Sequence, residues 1–425
     1  MINSNTCGNR LKRGILRFTE KISRGYSKPN RKFIADMVFG IIAANSCKLT
    51  EIGRALKEEI SLKKTVDRLG RNLANFSQTE PLMNNYLADI RKYFDSDTMV
   101  LLDGSDVTKP CSPKMEAIGS VHDGSTGGFG NGYWTMGAVA LTSENSQPIP
   151  VYEKLYPCKK QGGAGFVVET ANALQKLRDN FDSSIPRVFD RGFDSDVLFK
   201  ELFANNESFI LRANQNRVAV HKGKRTKIDD IVAGLVCKHE LSYRGRTGNI
   251  SKCKIGMTQV TMPNMGNLKM KLVVCKEYSE KPLILYTNLD EAVESLAVRV
   301  VKGYLMRWRI EELYAFKKQG LHFEDFRIRS LQSIQALDAL LTVAIGYIGT
   351  LCEKVNTEVL VVELLNASKR IQKHGAFLKT TKFYYYAILE GITAVLAHLK
   401  CGISQYFAPP PPSLQLCINA FVKMG

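Results

Sequence analysis

Apolar residues recur at helical spacing along the first 95 positions, which therefore read as helical. Residues 31–45 carry one such pattern. In residues 49–73, Leu49, Ile52, Leu56, Leu62, Val66 and Leu69 predict two short amphipathic helices, with Ser61 as the N-cap of the second. The texture changes at Thr98. MVLLDGSDV is a short apolar run that reads as a buried strand with Asp103 at its carboxyl end. Residues 132–142 and 148–156 predict antiparallel strands beside it, and 167–180 predicts a helix. Residues 186–190, PRVFD, form another short strand ending in a carboxylate, Asp190, followed by a helix over 194–205. From Phe209 to Thr287 come only β-type runs, such as FILRA, RVAVHK and LKMKLVVCKEY. Continuous helix is expected over 291–320, and apolar helix again from about Ser330, for example 337–351.

This order predicts an α/β chain whose mixed sheet core carries a β-rich insertion, flanked by helical N- and C-terminal regions. The divisions fall at 1–95, 96–350 with the insertion at about 207–288, and 351–425. Acidic residues stand where core strands end, and in such sheets ligand sites collect at strand ends. The C-terminal region would either support dimerisation or belong to an internal core. Its proline run at 409–412 is a stiff spacer.

Within the helix expected near 304–318, YLMRWRIEELYAFKK, a turn of about 100° per residue gathers Tyr304, Arg307, Glu311 and Lys318 into an arc of roughly 60°. Leu305, Met306, Ile310, Leu313 and Phe316 occupy the other side. As a solvated surface, the stripe offers an Arg307–Glu311 pair worth only a few tenths of a kcal/mol. As a site, it presents a phenol, a guanidinium, a carboxylate and an ammonium together. Glu312 lies off the stripe and reads as structural. Trp308 is either partly buried core or a platform for a displaced base.

Charge changes the picture. The 425 residues carry a formal net charge of +18 and a pI near 9.4, which points to a polyanionic partner. No run of 18 apolar residues and no signal-peptide core is evident, so nucleic acid is preferred to a membrane. Ten scattered cysteines without a C-x-x-C pair read as buried small hydrophobes in a reducing cytoplasm, not as a zinc or disulfide framework. In the N-terminal region the second short helix presents Lys63, Lys64, Arg68 and Arg71, the layout of a helix-turn-helix facing DNA or of an ordinary basic surface. Lysines and arginines of the insertion, among them Arg212, Arg217, Lys224 and Lys254, either protect sheet edges or track phosphates.

Asp103, Asp190 and Glu311 form the chemical constellation. Each aspartate alone fits a turn. Together, three carboxylates at one pole of a sheet repel one another unless cations hold them, and hard oxygen ligands select Mg²⁺ or Mn²⁺. Two such ions, about 3.5–4 Å apart, would serve phosphoryl transfer on nucleic acid. Asp106 competes with Asp103 for the first position; Asp103 is preferred because the apolar run stops there. Asp194 and Asp196 read as helix-start residues.

LLDGSD, FDRGFDSD and YLMRWRIEELYAFKK resemble, in order and spacing, the catalytic segments of DDE transposases of bacterial insertion sequences. The resemblance is to the group marked by Tyr-x2-Arg-x3-Glu-x6-Lys, which Tyr304, Arg307, Glu311 and Lys318 satisfy. PLILYTNLDEA is similar to the family's lead-in to that helix. The likeness spans residues 95–350, is looser over 30–95 and is not evident beyond. It implies a ribonuclease-H-like core interrupted by the insertion, with Asp103, Asp190 and Glu311 binding two Mg²⁺ or Mn²⁺ ions. It implies that Tyr304, Arg307 and Lys318 contact phosphates of double-stranded transposon-end DNA. The implied activity is cut-and-paste transposition in a bacterial cytoplasm by a homodimer on paired ends, with a liberated 3′-OH forming a hairpin that is reopened and joined to target DNA. A DNA-binding protein without catalysis and a nuclease on the same core are the competing functions.

Overall fold

The structure, a computed structural model, describes residues 4–124, 127–143, 146–244, 250–266, 268–290, 293–373 and 383–407. The proline run at 409–412 and the expected helix start at 291–292 lie outside these. The architecture is mixed α/β, with one large mixed sheet and helices on its flanks.

Five helices open the chain: α1 (Ser4–Ile22), α2 (Lys28–Ala44), α3 (Leu49–Leu56), α4 (Leu62–Asn75) and α5 (Thr79–Ile90). The expected cap is present, with Ser61 accepting from the Lys64 amide at the start of α4. Next come β1 (Met99–Thr108), β2 (Gly119–His122), β3 (Phe129–Leu141), β4 (Ile149–Tyr156), α6 (Phe166–Arg178), β5 (Arg187–Phe189), α7 (Asp196–Ala204) and β6 (Phe209–Arg212). β1, β3 and β4 are antiparallel neighbours, whereas β5 and β6 add to the other edge of β1 as parallel strands. The parallel strands are short and, apart from Arg187 and Arg212, apolar and buried on both faces, as strands covered on two sides tend to be.

The insertion prolongs this same sheet. It contributes β7 (Val218–His221), β8 (Lys224–Lys227), α8 (Ile228–Gly234), β9 (His239–Arg244), β10 (Ile250–Met262), β11 (Leu268–Lys276) and β12 (Leu283–Thr287). β12 returns to pair with β6, so the chain re-enters the core beside the strand at which it left. Two elements depart from the expected pattern. β2 is only four residues long, too short for alternation to announce it, and α8 interrupts the β-type runs, with Asp229 and Asp230 in its first turn favouring a helix start.

α9 (Val293–Leu305) and α10 (Trp308–Ala315) follow, then a π-helical turn (Phe316–Gly320), α11 (Leu331–Cys352), α12 (Val359–Ala367) and a last described α-helix, Tyr385–Ala397. α11 is long and apolar enough to cross a bilayer by length and composition, but it is buried in the middle of the fold. Burying each of its Leu and Ile side chains contributes roughly 1.5–3 kcal/mol. Helices from both ends of the chain cross it at glycines. Tyr86 of α5 passes Gly346 to donate to the Pro150 carbonyl at 2.7 Å, and Tyr385 passes Gly349 to donate to the Pro148 carbonyl. One face of this last α-helix belongs to the internal core, Ile388 and Ile392 being fully buried.

Candidate active site

The sheet itself brings the first residues together. In the parallel ladders Leu102 pairs with Phe189, and Phe189 with Leu211. One step further, Asp103, Asp190 and Arg212 occupy equivalent places on three neighbouring strands. Asp103 does not end β1, as the apolar run suggested; the strand continues to Thr108 against β3. What ends there is the pairing with β5, so the carboxylate opens onto the space beyond a strand end all the same.

The opposite wall comes from α9 and α10, and here the continuous helix expected over 291–320 is broken at Met306–Arg307. The Arg307 amide bonds the Tyr304 carbonyl at 2.9 Å, and the Ile310 amide bonds that of Arg307 at 3.1 Å. Such three-residue steps eclipse side chains at i and i+3. Arg307 accordingly lies over the Tyr304 ring, with 6.0 Å between guanidinium carbon and ring centroid. The Tyr304 phenol donates to Asp190 Oδ1 at 2.8 Å. Arg307 donates from Nη1 to Asp103 Oδ2 at 2.8 Å and from Nη2 to Glu311 Oε1, while its Nε stands 4.0 Å from Asp190 Oδ1. One planar guanidinium meeting all three carboxylates keeps every pair of them within about 10 Å. Arg212 completes the group, its Nη1 3.7 Å from Asp190 Oδ1 and 3.4 Å from the Tyr304 oxygen.

These charges shift one another. Burial pushes Asp103 up to about 6; Arg307 opposes that rise, and the nearby Asp190 and Glu311 reinforce it. Burial also disfavours ionised Asp190, but Arg307, the Arg191 amide, the Tyr304 phenol and Arg212 outweigh it and hold that carboxyl below its usual range. Tyr304 is pushed up to about 12 by burial and by Asp190. Burial disfavours the charge on Arg307, yet Asp103 and Asp190 raise its pKa above the ordinary value.

Lys318 does not join this cluster. The π turn adds a residue to the helical repeat and redirects the side chain to Asp106 Oδ2 at 3.0 Å, with Glu324 Oε1 at 3.6 Å. Asp106, set aside in favour of Asp103, is therefore the partner of the signature lysine. Glu324 also accepts from the Thr108 amide at 2.9 Å. Trp308 is half-buried with the Arg309 guanidinium over its ring, and Glu312 binds Arg309, in keeping with a structural role for Glu312. Asp194 and Asp196 do more than start a helix: both hold Arg217, at 2.6 Å each, which commits that arginine of the insertion to α7.

In the N-terminal region Lys63, Lys64 and Arg71 face solvent on α4. Arg68 is turned inward, donating at 2.8 Å to buried Asp36 and at 2.8 Å to Glu58. Glu324 is a site residue that pattern reading missed, and Arg212, read only as a sheet-edge or phosphate-tracking residue of the insertion, was not placed beside Asp190. An arginine directly after the apolar run of β6 is a faint signal for Arg212; nothing in the spacing marks Glu324.

Three carboxylates supply the hard oxygen donors that Mg²⁺ or Mn²⁺ selects. In this arrangement Arg307 stands among them as the cation, and among the described residues no group of three or more His, Cys, Asp or Glu side chains is placed to hold a metal ion.

No family model matches the chain. Among solved structures it is similar to a piggyBac transposase in a synaptic complex with hairpin DNA, determined by cryo-EM. The identity is 10%, the TM-score 0.47, and the likeness covers 97% of this chain and 84% of that one.

Proposed function

We propose that the protein is a DDE transposase of the insertion-sequence type, cutting double-stranded DNA at an element's ends and joining it to a target. The observation that carries this reading is the convergence of Asp103, Asp190 and Glu311 on Arg307 from two strands and a helix. The order of the core, an antiparallel group of β1 to β4 followed by two parallel strands and then the insertion, supports the ribonuclease-H-like part of it.

In this reading Asp103, Asp190 and Glu311 hold Mg²⁺ or Mn²⁺, which when bound would activate the attacking oxygen and stabilise the leaving oxygen at phosphorus. Arg307, freed from the carboxylates, turns its planar fork to phosphate oxygens, a bidentate contact for which it is well shaped. Tyr304 keeps Asp190 oriented through its phenol and borders the same phosphate. Lys318, within the π turn, supplies a second cation farther along the strand. Lys63, Lys64 and Arg71 of α4 bind the DNA backbone, and Trp308 offers a ring to a displaced base. Two copies pair two ends.

A strand-transfer assay with Mg²⁺ or Mn²⁺, on DNA carrying the inverted repeats that flank the gene, tests the proposal. Joined product that disappears in Asp103→Asn, Asp190→Asn and Glu311→Gln is expected. Cleavage without joining would identify a nuclease, and binding without cleavage a regulator.

A further inference from the structure

Behind the carboxylates lies a second cluster of charge with no part in the scheme above. Lys317, in the π turn, is buried. Its Nζ stands 2.7 Å from Glu153 Oε1 of β4 and pairs with Asp338 Oδ1 of α11. Both carboxyls are largely enclosed, 7% and 2% exposed, and burial pushes both up, against the pull of Lys317. Two acids and one base in an apolar interior are a poor source of stability; well-packed neutral residues of the same volume often serve a fold as well or better.

The cluster reaches the candidate site by two routes. Tyr314, three residues before Lys317, donates its phenol to the backbone carbonyl of Asp103 at 2.7 Å. Gly137, which pairs with Asp103 across β1 and β3, makes room for this: a Cβ there would fall 2.5 Å from both the Tyr314 oxygen and Glu153 Oε2. Tyr314 is thereby held between Glu153 and Asp103. The second route is the π turn itself. Lys317 is anchored inward by its two acids, and the following residue, Lys318, is directed outward to Asp106 and Glu324. π turns of this kind concentrate at functional sites.

We propose that Lys317, Glu153 and Asp338 are positioning residues: they lock the π turn and Tyr314, and so set the places of Lys318 and Asp103. The inference rests on the DNA-cleaving function proposed above. A cluster serving only the core can be exchanged for neutral residues without loss of chemistry. A positioning cluster cannot, because a displacement of about 1 Å at a reacting centre costs on the order of 100-fold in rate.

Lys317→Met alone strands two buried acids and is expected to unfold the core, so the test uses Lys317→Met, Glu153→Gln and Asp338→Asn combined. Thermal midpoint, affinity for DNA carrying the flanking repeats, and cleavage rate at saturating DNA with Mg²⁺ are measured together. Expected are a near-native midpoint, unchanged affinity and a cleavage rate about 30-fold or more below wild type. Tyr314→Phe, which deletes one hydrogen bond and no charge, keeps the test decisive if the triple variant fails to fold; it should slow cleavage about tenfold at unchanged affinity. Wild-type cleavage rates in a folded triple variant, or in Tyr314→Phe, overturn this inference alone. A wild-type protein that neither cuts nor joins such DNA overturns the proposed function and this inference with it.

Discussion

Arg307 donates to Asp103 Oδ2 at 2.8 Å across 204 residues of sequence. The same guanidinium binds Glu311 and approaches Asp190, and its side chain is only 13% exposed. The inner site therefore balances one enclosed cation against three anions, with Arg212 at the edge of Asp190.

Removing that cation should be costly without a metal and less so with one. Breaking a largely buried pair by deleting one partner typically costs about 3–5 kcal/mol, because the remaining charge is stranded. Arg307→Ala is expected to lose stability in that range in urea denaturation with EDTA present. Millimolar Mg²⁺ should restore part of the loss, and more than it adds to wild type, where Arg307 already fills the space. Equal effects of Mg²⁺ on the two proteins would mean that the carboxylates do not receive it.

Asp103 gives a stability profile with a defined sign. Its pKa is about 6 in the fold against an ordinary 3.8, so between those values the native state keeps a proton that the unfolded chain has released. Stability then falls as pH rises through that window. Asp190 is shifted the other way and titrates below it. Asp103→Asn should gain on wild type steadily from pH 4 to about pH 6 and hold a constant difference above, as read from denaturation midpoints in EDTA. A difference that does not change with pH would show Asp103 ionised throughout.

Much of this arrangement was legible along the chain because its parts are local. The apolar runs before Asp103 and Asp190 marked two strands, and the spacing of Tyr304, Arg307 and Glu311 marked one face. What periodicity could not show was where the helix departs from its own period. The break at Met306–Arg307 brings Arg307 over Tyr304, and the π turn at Phe316–Gly320 sends Lys318 to Asp106 and away from Glu311. Arg212 stood out only as one basic residue of the insertion, because its meeting with Asp190 depends on strand pairing, which is nonlocal. Lys317 was hidden because a lysine beside another lysine looks solvated, and lysine is almost never buried unless paired.

Lys318→Ala separates a surface lysine from a functional one. The side chain is 24% exposed but its partner Asp106 is buried, so the expected stability loss is about 2–3 kcal/mol, from which the fold should still survive. Cleavage of end DNA should nevertheless fall at least tenfold in the strand-transfer assay. A variant that folds and cleaves normally would return Lys318 to a purely structural pairing.

Arg68 and its neighbours on α4 should divide by experiment as they do by geometry. Arg68→Ala strands Asp36, whose side chain is fully enclosed, and leaves it only Lys32 at 2.7 Å, so a loss of about 3 kcal/mol is expected in urea denaturation. Lys63→Ala with Lys64→Ala touches exposed side chains and should change stability by less than about 0.5 kcal/mol. If both lysines meet phosphates, the pair should lower the slope of log affinity against log salt on duplex DNA by about two. An unchanged slope would remove this end of α4 from the DNA path, whatever Arg68→Ala does to the fold.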